Sequence, residues 1–297
     1  MSPRLPFLPH LARGFVVAAV LFGLAGPSTL AGTADIQGGR SEQIAPAPAA
    51  FVRATADTAG PITTEPAAQP LPLSVPALRH GRRSKPVVAL TFDDGWSPTA
   101  TREILAILEE EHVPATFFPY GYVVRRSPGL WRRIAAGGYP IGNHTLSHAD
   151  LTGLSDGGIR VQLRAQSWIV QAVTGAPPVP FVRPPFGAFN ATTDAIAAEE
   201  GYRALVLWDV DAEDWKDISV ATIVYRATRG TNGSIVLLHA GPPRTPFALR
   251  SIIDHYRARG FDFVTVPELL GPTLPPVPPQ PLPQLVAHFS RVEAYQV

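Results

Sequence analysis

At 297 residues and 45% apolar side chains, the chain is long enough for one large domain or two modest ones and can fill a sizeable core. Its 25 basic residues against 24 acidic leave a formal charge of +1, which gives no reason to expect a nucleic-acid partner. It has no cysteine, so disulfides and thiolate metal sites are excluded and any metal must be held by His, Asp or Glu. In chain order, Arg4 and Arg13 precede an apolar run from Phe15 to Ala25, and small residues follow to Gly32. This is the layout of a secretory signal over residues 1–32. The run is shorter than the ~20 residues of a spanning helix. An uncleaved membrane anchor or a plain apolar helix are the alternatives, and lipid attachment at a cysteine is excluded.

Residues 33–84 are rich in Ala, Pro, Thr and Gly without a helical or strand period, and are expected to be an extended linker. From about 85 to 270 the pattern alternates. Short apolar runs at 86–92, 115–119, 202–208, 234–238 and 261–265 predict strands. Helical spacing predicts helices over 98–111, 130–136, 159–173, 192–200, 218–228 and 246–259. Strands alternating with helices imply a parallel α/β architecture, either a barrel or an open sheet. In a barrel, reactive side chains gather at the C-terminal ends of the strands. Residues 271–297 begin with a proline-rich stretch expected to run as an extended tail, and carry no readable protein-partner motif.

Five features carry chemistry. Thr91-Phe92-Asp93-Asp94-Gly95 places two carboxylates at the end of a buried run; a cation could relieve their repulsion by taking one as a ligand. Taken alone, Asp-Asp-Gly also reads as a charged turn. His144 and His148 are spaced to share one face of a helix that opens after Gly142-Asn143, close enough to hold one ion. With Asp94 they supply two nitrogens and one oxygen, leaving positions open for water and substrate. Arg183-Pro184-Pro185-Phe186-Gly187 sets an arginine, able to grip a carboxylate, in a stiff segment. Asp211-Ala212-Glu213-Asp214-Trp215 follows the fourth predicted helix and its strand, and Leu237-Leu238-His239 ends another strand.

The order and content of these five motifs resemble the polysaccharide deacetylase family, carbohydrate esterase family 4, over about residues 85–270. The resemblance implies a distorted (β/α) barrel of about seven parallel strands. It implies a metal site of Asp94, His144 and His148, usually holding zinc. It implies Asp93 as general base held by Arg183, His239 as general acid paired with Asp214, and Trp215 and Leu237 lining the groove for the acetyl methyl. The backbone N–H of Phe186 would face the oxyanion. The implied reaction is N-deacetylation of an acetylated amino-sugar polysaccharide such as peptidoglycan or a chitin-like polymer, by a secreted or cell-envelope protein. O-deacetylation of xylan or a similar polymer, and an inactive wall-binding module, are the alternatives. Phe186 stands where the family usually has Tyr, and Trp96 where it often has Pro. Trp96 is expected either to stack on a sugar or to pack in the core.

Overall fold

The computed structural model describes residues 74–271 and residue 274. The signal or anchor segment, most of the linker and nearly all of the C-terminal tail lie outside the described residues. Among the described residues no helix is long and apolar enough to cross a membrane.

The fold is built on β2 (Val87–Asp94), in which every residue after the first is buried. A strand covered on both faces reads as a continuous apolar run rather than an alternation, which is why Val-Val-Ala-Leu-Thr-Phe is legible as a central parallel strand. β2 pairs in parallel with β3 (Ala115–Pro119) on one side and with β7 (Ser234–His239) on the other. β6 (Val210–Asp211) extends the sheet beyond β7, and β8 (Asp262–Phe263) pairs with the start of β2. A second parallel ladder has the order β1 (Ala77–Leu78), β5 (Ala204–Val206), β4 (Phe181–Val182). Single parallel bridges, Phe117 to Ile141 and Asn143 to Val182, tie β3 to β4 through residues 141–143. At the other margin an antiparallel bridge joins His80 to Ser234. The expected parallel α/β arrangement is present. Its hydrogen-bonded ladders form two sheets joined by bridges rather than one continuous ring.

Helices cover the sheets: α1 (Pro98–Glu110), α2 (Gly121–Arg126), α3 (Pro128–Ala136), α4 (Asp156–Thr174), α5 (Ala191–Glu199), α6 (Val220–Ala227), α7 (Thr245–Ala258) and α8 (Val266–Leu270). Side chains of Ser97, Ser155, Asn190 and Ser219 cap α1, α4, α5 and α6, each accepting from a first-turn N–H that has no partner within the helix. The largest core cluster packs α1, α3, α6 and α7 on the five-stranded sheet. At its centre Phe92 stacks on Phe117 at 5.3 Å, and Trp131 meets Phe117 edge-on at 6.2 Å. Each such fully buried ring contributes about 1.5–3 kcal/mol, enough to hold the base of the site rigid.

Three sequence expectations need correction. The domain starts earlier than residue 85, because Val75 is buried in a core cluster and Ala77–Leu78 pairs with β5. The last expected strand shortens to Asp262–Phe263 because Thr265 forms a capping box with Glu268 and starts α8. The segment from His144 to His148 is not helical. Thr145 and His148 have left-handed φ of 66° and 61°, which no α-helix accommodates. Its N–H groups bond to side chains instead, while the carbonyls of Thr145 and Leu146 accept from the N–H groups of Gly121 and Tyr122. Asn143 Oδ1 accepts from Thr145 N–H at 2.8 Å. Gln162 Oε1 accepts from the N–H groups of Leu146 and Ser147 at 3.0 and 3.1 Å. Thr145 Oγ1 accepts from His148 N–H at 3.0 Å.

Candidate metal centre and active site

Consecutive side chains of a strand point to opposite faces. Asp94 escapes this rule with a φ of 71°, so that both carboxylates reach the same imidazole. His144 Nε2 lies 3.8 Å from Asp93 Oδ2 and 3.5 Å from Asp94 Oδ1. Gly95 must follow: its φ is +99°, and a Cβ there would sit 2.6 Å from the Trp131 ring. Of six non-glycine residues with left-handed φ among the described residues, five fall in the motifs: Asp94, Thr145, His148, Phe186 and Glu213. Such conformations cost about 1–3 kcal/mol each and persist only where the surroundings enforce them, which happens most often at functional sites.

Arg183 is fully buried and stitches the floor together. Its Nη1 donates to Asp93 Oδ1 at 2.7 Å and to Thr91 Oγ1 at 2.8 Å, and its Nε donates to Val206 O at 3.1 Å. The guanidinium lies 4.3 Å from the Phe118 ring centre. Thr91 Oγ1 in turn donates to Val236 O at 2.6 Å, so β2, β5, β7 and the residue that follows β4 all contribute to one network. Leaving such an ion pair half intact in the interior costs several kcal/mol, which makes the Asp93 position stiff.

On the opposite side β7 sets His239 beside Asp93 in register. The His239 ring Nδ1 is 2.7 Å from Asp214 Oδ1, and its backbone N–H donates to Asp214 Oδ2 at 2.9 Å. Thr245 Oγ1 also donates to Asp214 Oδ2, at 2.5 Å. Asp211 Oδ1 accepts from Glu213 N–H at 2.8 Å and turns the loop so that Asp214 points inward. Burial alone would lower the His239 pKa; the bond to Asp214 and the charges of Asp214, Asp93 and Asp94 overcome it and push it up to about 9. The imidazole is therefore charged at neutral pH, with Nδ1 engaged and Nε2 left to serve the site.

The donor set fits a divalent cation. Asp94 Oδ1 is buried without a hydrogen-bond partner. It lies 3.4 Å from His148 Nε2 and 3.5 Å from His144 Nε2, and the three atoms all fall within 4.8 Å of one another. Two ligands about 2.0–2.1 Å from a tetrahedral ion stand about 3.4 Å apart. His144 Nδ1 lies 2.6 Å from Arg183 O, which places its proton there and leaves the Nε2 lone pair free for a metal. Burial would raise the Asp94 pKa, but the neighbouring imidazoles, His144 foremost, lower it, so the carboxylate is in its ligating form. The His148 pKa is lowered by burial and by His144, which favours the neutral, ligating imidazole. For His144, burial lowers and the two aspartates raise, with a net rise in the absence of a cation.

The remaining sequence-selected residues are also close by. Phe186, 70% exposed at a φ of 61°, stands edge-on to His148 with ring centres 4.8 Å apart. Leu237 is buried, in register with Thr91. Trp215 is 56% exposed, beside Lys216 at 5.0 Å. Trp96 lies outside the core clusters: it packs on Gly241 while staying 41% exposed, its ring 6.3 Å from that of His239. Sequence reading missed Gln162, Asn143, Thr245 and Tyr120, whose ring lies 6.1 Å from His148. Thr91 lay within a motif already noted. The others are ordinary polar or aromatic residues whose partners are distant in sequence, and no local pattern marks them.

The fold and site together define a hydrolase-type centre with a buried carboxylate, a charged histidine and three residues whose donor atoms could share a cation. A sequence model of the polysaccharide deacetylase family matches residues 80–205. The chain is 35% identical over 196 residues to a chitooligosaccharide deacetylase of Rhizobium leguminosarum bv. trifolii, covering 61% of this chain and 90% of that protein. It is 34% identical over 206 residues to the peptidoglycan-N-acetylglucosamine deacetylase PgdA of Listeria monocytogenes. That match covers 69% of this chain but 43% of the Listeria protein, so the chain spans less than half the length of that relative. Among solved structures, the Bc1960 peptidoglycan N-acetylglucosamine deacetylase matches with a TM-score of 0.62 at 34% identity, over 64% of this chain and 91% of that one. A pseudoenzyme of the same family, BA3943 from Bacillus anthracis, matches with a TM-score of 0.63 at 29% identity, over 66% of this chain and 69% of that one. This chain belongs to the polysaccharide deacetylase family.

Proposed function

We propose that this chain is a metal-dependent hydrolase that removes N-acetyl groups from an N-acetylglucosamine-containing polysaccharide outside the cytoplasm. The observation that carries this reading is the completeness of the set. Asp93 with Arg183, Asp94 with His144 and His148, and His239 with Asp214 converge on one strand end. An inactive wall-binding module has no need of a buried carboxylate, a strained metal-type loop and a charged histidine held in register. The export reading rests on residues 1–32 of the sequence, and the relatives' names support the substrate class.

Asp94, His144 and His148 would hold the cation, and zinc suits two imidazoles and a carboxylate. Such an ion supplies Lewis-acid polarisation of the acetyl carbonyl and lowers the pKa of water from 15.7 to about 7. Asp93, fixed through Oδ1 by Arg183, presents Oδ2 to the site and takes the proton of the attacking water. His239 enters the cycle charged and passes a proton to the amide nitrogen as its bond to the acetyl carbon breaks. The products are acetate and a free amine. Trp215 and Leu237 would line the acetyl groove, and the Phe186 N–H would face the developing oxyanion.

The test is acetate release by the purified chain from an N-acetylglucosamine oligomer, peptidoglycan and acetylated xylan, each with added zinc and with chelator. Chelator-sensitive acetate from the amide substrates supports the reading. Acetate from xylan alone would replace it with an O-acetyl esterase.

A further inference from the structure

Two adjoining clefts lie beside the site and along α1, α2 and α3. The first, about 460 Å³, is lined by Tyr120, Tyr122, Arg125 and Arg126. It begins beside the metal residues, since the Tyr120 ring is 6.1 Å from that of His148. The second, about 360 Å³, shares Arg126 and adds Arg102, Arg133 and the start of α3. No Asp or Glu lines either cleft. Glu109 neutralises Arg133 at 2.6 Å. Among the described residues, Arg102, Arg125 and Arg126 have no carboxylate partner, and Arg125 lies instead over the ring of Tyr122, 5.5 Å from its centre. Arg160, Arg164, Arg226 and Arg250 are each bound to glutamates, whereas Arg79, Arg82, Arg132, Arg203, Arg229 and Arg259 are also without a carboxylate partner among the described residues; what sets Arg125 and Arg126 apart is their place in a cleft beside His148.

A third cleft, of about 320 Å³, has another character and presents Trp96 and Trp215 beside Lys216 and Arg244. Those two cations are paired, Lys216 with Glu213 at 2.9 Å and Arg244 with Asp217. A polymer laid across the site would meet aromatic faces with neutralised charge near His239, and unpaired guanidinium groups beyond His148.

We propose that the Arg102–Arg125–Arg126 clefts bind carboxylates carried by the glycan, so that this chain selects an anionic amino-sugar polymer over a neutral one. The inference rests on the deacetylase reading above and narrows its substrate class. A guanidinium donates a planar fork that matches a carboxylate. A neutral N-acetylglucosamine chain offers no group that needs three unpaired cations. A polymer bearing acid-substituted sugars or peptides does. Tyr122, 45% exposed next to Arg125, adds an apolar face for the sugar ring that carries the acid.

The test compares a neutral N-acetylglucosamine oligomer with soluble peptidoglycan strands in three forms: intact, with peptides removed, and with all carboxyls amidated. Both arginines are exposed and unpaired, so R102Q/R126Q should fold normally. Each exposed contact contributes about threefold, so the pair contributes about tenfold. The double variant should raise KM for intact strands about tenfold with kcat unchanged and leave the oligomer untouched. Amidation should impose the same loss on the wild type. If the loss persists after peptide removal, the sugar acid is the ligand; if it disappears, the peptide carboxylates are. Equal use of intact and amidated strands, or an equal loss on the oligomer, overturns the proposal. If the wild type releases no acetate from anything, the deacetylase reading fails by itself. Retention of the strands on immobilised protein then decides the arginine site. Retention weakened by amidation and by the double variant supports it, and retention indifferent to both refutes it.

Discussion

Replacing Asp214 by Asn keeps the shape of the buried side chain and its ability to accept from Thr245 and from the His239 backbone, but removes the charge that holds His239 protonated. In the wild type that carboxylate works against burial to give a pKa of about 9. In Asp214→Asn burial remains, while Arg183 offsets the charge of Asp93 and a bound cation would offset that of Asp94, so the pKa falls to the ordinary histidine value of about 6.5 or below. At pH 8 the protonated fraction drops from about 0.9 to about 0.03, a loss of about thirtyfold in a step that needs the imidazolium. At pH 6 most of the imidazole is charged in both proteins, and the loss from this cause is less than twofold. Profiles of kcat/KM for acetate release between pH 5.5 and 9.5 should therefore show the basic limb moved down by about 2.5 units. A cation at Asp94 offsets that carboxylate's contribution and lowers both limbs together, so the displacement between the two proteins is the quantity to read. A uniform loss across all pH values, or an unmoved basic limb, would refute the assignment of His239 as a general acid poised by Asp214.

Asp93→Asn should reduce kcat by about 10²–10⁴ while zinc content stays at the wild-type stoichiometry; retained activity would remove the base assignment. His148→Ala should lose the metal, read as loss of the zinc-induced rise in Tm; zinc bound at full stoichiometry would contradict the ligand set. Gln162→Ala frees the N–H groups of Leu146 and Ser147 and should weaken zinc binding about tenfold by calorimetry, with metal-free stability much less affected. The metal-free protein should also show a pH-dependent stability term from His239. Its folded pKa is above the unfolded one, so about 3 kcal/mol is fully present below pH ~6.5 and is lost as pH rises through ~9. Denaturant melts of wild type and His239→Gln should therefore converge toward alkaline pH.

The elements most legible in the sequence are those whose burial imposes a period. β2 announces itself because a two-sided core requires an unbroken apolar run, and α1 and α4 because one face of each must be apolar and their first turns need Ser97 and Ser155. β4 and β6 are two residues long and carry no period at all; they exist only because neighbouring strands pair with them. The same limit explains the histidine loop. The i, i+4 spacing of His144 and His148 fits a helix, yet Asn143, Gln162 and the bridge to β4 compete for its backbone and prevail.

The sequence by itself determined which groups are available to the site: two adjacent carboxylates, two histidines, a stiffly placed arginine and an acid–histidine pair, in the order shared with the family. Only the tertiary structure decided their relations. It bends Asp94 out of the strand so that both carboxylates face one imidazole, sets Arg183 on Asp93 from ninety residues away, and gathers Arg102, Arg125 and Arg126 into two adjoining clefts. Local patterns follow from burial, which each segment feels alone. Charge pairing and coordination depend on distances of a few ångströms between segments that only the folded chain brings together.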